Sequence, residues 1–126
     1  MSYDLVVFEP TAAPRERADF MAWYHAQTQW SEGHGYNDPR VCSPALQRWY
    51  TAMVKVFPPM NGPLASRDLD DPHVTDHCCG RNIIYSAFAG SVGPSAYKMT
   101  KKFAIDHHVG FFAASEPDGE LLFPEG

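Results

Sequence analysis

The sequence predicts an α+β fold: a single small mixed or antiparallel sheet of about four strands, with three helices covering one of its faces. Three observations lead to this prediction. A strand–helix–strand pattern lies between residues 82 and 115, two helical segments precede it, and a hairpin pattern follows it. With a strand at the N-terminal end, the order is β-α-α-β-α-β-β. At 126 residues the chain is expected to form one domain, residues 1–126.

The strand–helix–strand pattern is the centre of the predicted fold. Residues 82–89 are apolar and rich in β-branched and aromatic side chains, as in a buried strand. Residues 95–108 have helix-forming composition, with Met99 and Phe103 four apart. Residues 110–115 are apolar again and begin at a glycine of the kind that ends helices. If the two strands run parallel in one sheet, their crossover is expected to be right-handed.

The first forty residues predict a strand, a helix and a loop. Residues 3–9 are almost continuously apolar, and Pro10 cannot continue a β-ladder. Pro14 suits the first turn of a helix, which is expected to end near residues 29–30. Two glycines, an asparagine, an aspartate and a proline in residues 31–40 predict a loop.

The second helix has the clearest amphipathic pattern in the chain. Ser43 is a hydroxyl N-cap, Pro44 suits the first helical position, and the Pro58-Pro59 pair stops the helix. Its apolar stripe consists of Leu46, Trp49, Tyr50, Met53, Val54 and Phe57. Leu46, Trp49, Met53 and Val54 are predicted to be buried together. After it, residues 76–79 are a candidate short strand, and the Asp-Gly turn of residues 116–119 predicts a hairpin with a strand at 120–123.

Composition and charge narrow the function classes. Hydrophobic residues make up 44% of the chain, which predicts a folded core, but no apolar run approaches the ~20 residues of a membrane helix. The net charge of −5 argues against nucleic acid as a partner. The N-terminal residues show no signal-peptide pattern, and three cysteines do not form a disulfide framework. The expected location is therefore the cytoplasm.

Two groups of residues contain side chains that could support chemistry. His73, His77, Cys78 and Cys79 suit zinc by ligand type, but adjacent cysteines in a strand point to opposite faces, so neither a metal nor another cofactor is predicted. The second group could form a His–Glu or Cys–His pair, but no nucleophile motif accompanies it, so no catalytic residue is assigned. This second group consists of His25, Glu32, His34 and Cys42.

A binding surface is the preferred interpretation. Four aspartates fall in an exposed loop between Pro63 and Pro72 or just after it, and large aromatic residues near charged ones are typical of protein interfaces. The predicted partner-binding residues are Trp30, Glu32, Tyr36, Asp38, Asp68, Asp70, Asp71 and Asp76. A second acidic group lies on the terminal hairpin: Glu116, Asp118 and Glu120. Parallel strands would place the two acidic groups at opposite ends of the sheet.

The chain also resembles a family of small, mostly uncharacterised bacterial proteins that are similar to immunity proteins of contact-dependent-inhibition and polymorphic toxin systems. The stretches that carry the resemblance are Tyr3-Asp4-Leu5-Val6-Val7-Phe8, Trp23-Tyr24 with Trp30-Ser31-Glu32, Tyr36-Asn37-Asp38-Pro39, Phe57-Pro58-Pro59-Met60-Asn61-Gly62-Pro63, Ile84-Tyr85-Ser86-Ala87-Phe88-Ala89 and Val109-Gly110-Phe111-Phe112. The resemblance implies a non-enzymatic protein that binds a cognate toxin domain and supplies no catalytic residues.

The functional expectation is therefore an immunity protein that neutralises a bacterial toxin, such as a nuclease, by occluding its active site. Two alternatives stay open. One is a small cytosolic enzyme that uses the region of His25, Glu32 and His34, and the other is a regulatory or structural subunit. The oligomeric state is left open as well.

Overall fold

A computed structural model describes residues 2–68 and 70–124, and in them five strands form one sheet in the order β2-β3-β1-β4-β5. Every neighbouring pair is antiparallel. The elements are β1 (Ser2–Phe8), α1 (Arg17–Gln27), α2 (Pro44–Met53), β2 (Asp76–Cys79), β3 (Ile83–Ala89), α3 (Gly93–Asp106), β4 (Gly110–Phe112) and β5 (Leu121–Leu122). The predicted α+β class is confirmed, and the candidate strand at 76–79 raises the strand count to five.

The central strand β1 is buried on both of its faces. Leu5, Val6, Val7 and Phe8 are all fully buried. Because neighbouring residues of a strand point to opposite faces, such a continuous apolar run requires cover on both sides of the sheet.

Helices therefore cover both faces of the sheet, and the expectation that they cover one face is wrong. Leu5 and Val7 belong to a core that includes Trp49 of α2 and Ala96 of α3. On the other face, Val6 and Phe8 belong to a separate core that includes Phe20 of α1. The Phe8 and Phe20 ring centroids are 4.9 Å apart.

The helix ends follow their capping residues. The side chain of Glu16 accepts hydrogen bonds from the backbone N–H groups of Ala18 and Asp19, so α1 begins later than Pro14 suggested. It ends at Gln27, earlier than expected, and Trp30 beyond it has a φ of 54°. Ser43 caps α2 as predicted, through a 3.4 Å bond from the N–H of Leu46 to its hydroxyl.

The strands β3 and β4 run parallel to each other, because each is antiparallel to β1, which lies between them. This confirms the parallel orientation that was assumed for the two strands of the strand–helix–strand unit. The short strand β2 then reverses direction against β3, with Asp76 opposite Ala87 and Cys79 opposite Ile84. The loop before β2 therefore approaches the end of the sheet where β3 ends.

Gly110 is expected to be irreplaceable because of its contact with Phe8. A Cβ at Gly110 would lie 2.2 Å from two atoms of the buried Phe8 ring, which Phe20 and Phe123 hold from other sides. Gly110→Ala should therefore lower the free energy of unfolding by about 1–3 kcal/mol in chemical denaturation. The control is Gly33→Ala, where a Cβ meets nothing within 4 Å. Equal stabilities of the two variants would contradict the packing described here.

Candidate binding site

The two acidic groups lie at the same end of the sheet, so the expectation of opposite ends is wrong. The strand β2 causes the difference, since it brings the residue 68–76 loop back to the end where β3 and β4 finish. The segment after β4 reaches this end as well, because Ser115 donates its N–H to the carbonyl of Asp4 at 3.1 Å. We call this the acidic end; its carboxylates include Asp4, Asp68, Asp70, Asp71, Asp76, Glu116 and Asp118.

The acidic end is narrow enough for one partner to cover. The strands β2 and β5 stand four strand spacings apart, which is about 19 Å. Asp68, Asp70, Glu116 and Asp118 are exposed, and Asp71 and Asp76 are half-buried. Glu120 is partly neutralised, because Lys101 binds it at 2.8 Å.

Backbone hydrogen bonds hold the residue 68–76 loop against the start of β2. Thr75 donates to Pro58 and accepts from Met60, both at 2.9 Å, and Ser66 donates to Pro59 at 2.8 Å. Asp71 accepts from the backbone N–H of His73 at 2.9 Å and also contacts the His73 ring. These bonds, the backbone one first, lower the pKa of Asp71. These bonds anchor Ser66 and residues 71–75 beside the start of β2.

The loop after α1 is built around the phenol of Tyr36. Its hydroxyl accepts from the backbone N–H of Glu32 at 2.6 Å and donates to the carbonyl of Glu32 at 3.1 Å. The Trp30 ring lies 5.0 Å from the Tyr36 ring. The N–H of Cys79 donates to the carbonyl of Tyr36 at 2.7 Å, which joins this loop to β2.

The structure divides the predicted binding residues into two places. Trp30 and Asp76 line one cavity, next to the acidic end. Glu32 lies at the other end of β2, where its carboxylate accepts from the N–H of Arg81 at 3.1 Å. Asp38 forms an ion pair with Arg40 at 2.6 Å, which lowers the pKa of Asp38.

The cavity shared by Trp30 and Asp76 lies on the face of the sheet that carries α1, and we call it the α1-face cavity. Its volume is about 470 Å³, and its lining includes Tyr24, His25, Trp30, Asp76, Cys78 and Tyr85. It forms because α1 ends at Gln27 and leaves part of β2 and β3 uncovered. Ala87 of β3, which lies opposite Asp76, has a small side chain that does not fill this space.

Charge and aromatic rings characterise the α1-face cavity. Asp4, Ala87 and Asp76 lie side by side on three neighbouring strands. The Tyr85 hydroxyl donates to Asp4. Burial, and next the bond to Asp4, raises the pKa of Tyr85, so this phenol stays neutral and remains a donor. Burial, and next the charge of Asp76, raises the pKa of Cys78 to about 11, so this thiol is not an activated nucleophile.

The residues considered for catalysis do not form one group. His34 contacts Glu32 at 2.6 Å and the carbonyl of Gly35 at 2.7 Å. These bonds, that to Gly35 first, raise the pKa of His34 and favour its imidazolium form. His25 lines the α1-face cavity instead, and Cys42 is buried in the other core.

The residues considered for zinc are likewise separated. His77 points into the core beside α2, and Cys78 points to the opposite face of β2. Among residues 2–68 and 70–124, no three His, Cys, Asp or Glu side chains are grouped as metal ligands would be.

Sequence reasoning missed Asp4, Tyr24, Cys78 and Tyr85 as members of this site. Asp4 offered one signal, since it is an acidic residue at the start of an otherwise apolar strand. Tyr24 and Tyr85 offered none, because tyrosines at such positions usually complete a core.

The described residues define an α+β protein with a five-stranded antiparallel sheet and an acidic end. No protein-family model, curated protein or solved structure matches this chain. None of the helices in the described part of the chain has the length and apolar character needed to cross a membrane.

Proposed function

We propose that this chain is a cytoplasmic immunity protein that binds a cognate toxin domain and neutralises it by occluding the toxin's active site. The observation that carries the proposal is the concentration of carboxylates at the acidic end, on two segments at one end of a sheet whose outer strands β2 and β5 stand about 19 Å apart. The sequence resemblance described above supports the same function. The mechanism is steric and electrostatic, without bond formation.

Exposed apolar side chains support a docking role for the same end. Of the described residues, the large hydrophobic side chains that are exposed are Met60 (42%), Leu64 (54%) and Ile105 (50%). Met60 lies beside the acidic loop, because its N–H donates to the carbonyl of Thr75. Protein interfaces combine an apolar centre with a polar rim, and this arrangement offers both.

A toxin with a basic substrate cleft is the partner that the charge favours. A nuclease must attract the phosphate chain with lysine and arginine side chains. Carboxylates concentrated at one end of the sheet would compete for those side chains and would accelerate association at low salt. We therefore propose that the partner is a toxin domain with a positively charged active site, such as a nuclease.

A small enzyme is the second candidate, and the observation in its favour is the 2.6 Å contact between His34 and Glu32, which both line a cavity of about 640 Å³. Both ring nitrogens of His34 are engaged, which suits a structural link better than proton transfer. A regulatory or structural subunit has no specific contact to support it. Binding a toxin is therefore the function we favour.

The proposal predicts that neutral replacements in the acidic loop slow toxin binding. Asp68→Asn, Asp70→Asn and Asp71→Asn together should reduce the association rate about tenfold at low ionic strength and flatten its salt dependence. Stability should change little, because these charges are on the surface and asparagine retains the acceptor oxygen used in the turns. The measurement is stopped-flow binding to the cognate toxin at several salt concentrations.

The control removes carboxylates from the other end of the molecule. Glu9 follows β1 and Asp106 ends α3, both away from the acidic end. Glu9→Gln with Asp106→Asn should leave the association rate near that of the wild type. For each charge removed, the change in rate should be much smaller than in the acidic-loop triple variant. Identical salt dependence for the acidic-loop triple variant and the wild type would exclude this loop from the interface.

A further inference from the structure

The α1-face cavity combines aromatic walls with a carboxylate, which is the chemistry that recognises an organic cation. Trp30 and Tyr85 both line it, and their ring centroids are 6.3 Å apart at an angle of 89°. Tyr24 adds a third ring and Asp76 a half-buried carboxylate. Aromatic faces attract ammonium and guanidinium groups, and a nearby carboxylate adds charge-assisted hydrogen bonds.

The negative charge beside the cavity lacks a basic partner. In the described parts of the chain, no ion pair joins Asp4 or Asp76 to a lysine or arginine. The Oδ1 atom of Asp4 is buried and, among the described residues, has no hydrogen-bond partner, while its Oδ2 accepts from Tyr85. Buried carboxylates are normally paired, so this region of the protein favours an incoming cation.

The backbone of Trp30 is held in an unfavourable conformation that keeps its ring at the cavity. Its φ of 54° is in the left-handed region, which a bulky side chain rarely adopts. The Tyr36 ring packs against the indole at 5.0 Å, and the Tyr36 hydroxyl is fixed by its two bonds to Glu32. Strain maintained by such contacts is concentrated at binding sites.

From these observations we propose that the α1-face cavity receives one arginine side chain of the protein partner. The guanidinium lies against the Trp30 indole and donates hydrogen bonds to the Asp76 carboxylate. Arginine fits better than lysine because its planar group both stacks on a ring and donates in a fork. Only the identity of the protein that supplies the arginine rests on the function proposed above.

The cavity can be tested without any toxin. The probe is N-acetyl-arginine N-methylamide, and its matched control is the citrulline analogue, which has nearly the same shape without the charge. Titration is followed by the NMR signal of the Trp30 indole N–H, assigned by comparison with Trp30→Phe. The arginine probe should shift this signal saturably with a millimolar dissociation constant, and the citrulline analogue should not.

Two variants locate the contact. Asp76→Asn should weaken binding of the arginine probe at least fivefold, with an otherwise unchanged NMR spectrum that shows the fold is intact. Asp106→Asn, which removes an exposed carboxylate at the far end of α3, should bind the probe like the wild type. Equal shifts with both probes, the absence of a saturable shift, or equal affinity of Asp76→Asn would overturn the arginine site. The toxin-binding proposal would not be affected by this result, because the acidic-loop experiment tests it independently.

Discussion

Trp49→Ala is expected to lower the free energy of unfolding by about 3–5 kcal/mol. Trp49 is fully buried in the core between α2 and the sheet, and its indole N–H donates to the carbonyl of Thr100 in α3 at 3.2 Å. The substitution removes a large apolar surface, leaves a cavity and removes the hydrogen bond between the indole and the Thr100 carbonyl. Urea denaturation followed by circular dichroism gives the change directly.

One further variant separates the contributions to this loss of stability, and a second serves as a control. Trp49→Phe keeps most of the apolar contact but removes the indole N–H, so its cost should be clearly smaller than that of alanine. Leu64→Ala tests an apolar side chain that is 54% exposed, and its effect should stay within about 0.5 kcal/mol. A loss below about 0.5 kcal/mol for Trp49→Ala would mean that the helix α2 does not pack as described.

Acid is expected to destabilise the protein through His77. This side chain is buried, with one ring nitrogen 2.7 Å from the Ser86 hydroxyl and the other 3.0 Å from the Phe57 carbonyl. A neutral ring satisfies both contacts, because its Nε2–H donates to the carbonyl and its Nδ1 accepts from the hydroxyl. Burial lowers the pKa of His77 to about 4, although the bond to Phe57 opposes this shift.

The sign of the effect follows from proton binding. Between pH 6.5 and about 4, the unfolded chain binds a proton at His77 and the folded chain does not. Stability therefore falls as the pH is lowered through this window. A shift of this size corresponds to about 3 kcal/mol, which is lost in full near pH 4. Paired carboxylates such as Asp71 and Asp106 add losses mainly below this window, because their pKa values are lowered.

The contribution of His77 is isolated by His77→Gln. The glutamine amide can donate to the Phe57 carbonyl but does not titrate. In urea denaturation from pH 8 to pH 4, the wild type should lose about 3 kcal/mol more unfolding free energy than His77→Gln as the pH falls below 6.5. Parallel pH profiles of the two proteins would contradict a buried, neutral His77.

Local sequence signals predicted most of the fold's elements. The N-cap and proline at Ser43 and Pro44 located the start of α2, and its apolar stripe placed Trp49 in the core. The apolar run of residues 3–9 predicted a strand inside the sheet. These signals succeed because capping and side-chain periodicity act over a few residues, within the range that a sequence displays.

Local sequence signals predicted only part of the candidate site. Trp30 and Asp76 were both predicted to bind a partner, but their shared cavity was not, since it also requires Tyr24 of α1 and Tyr85 of β3. Glu32 and Asp38 were grouped with the acidic loop because of their charge. The structure uses Glu32 to bind the turn after β2 and uses Asp38 to pair with Arg40.

The sequence by itself determined the α+β fold class, the approximate positions of the strands and helices, and the acidic character of the chain. Only the tertiary structure decided that α1 covers the second face of the sheet and that the two acidic groups share one end. The physical reason is that strand order depends on long-range pairing. The four residues of β2 reverse the path of the chain, and their pairing with β3 depends on contacts across the sheet that local patterns do not record.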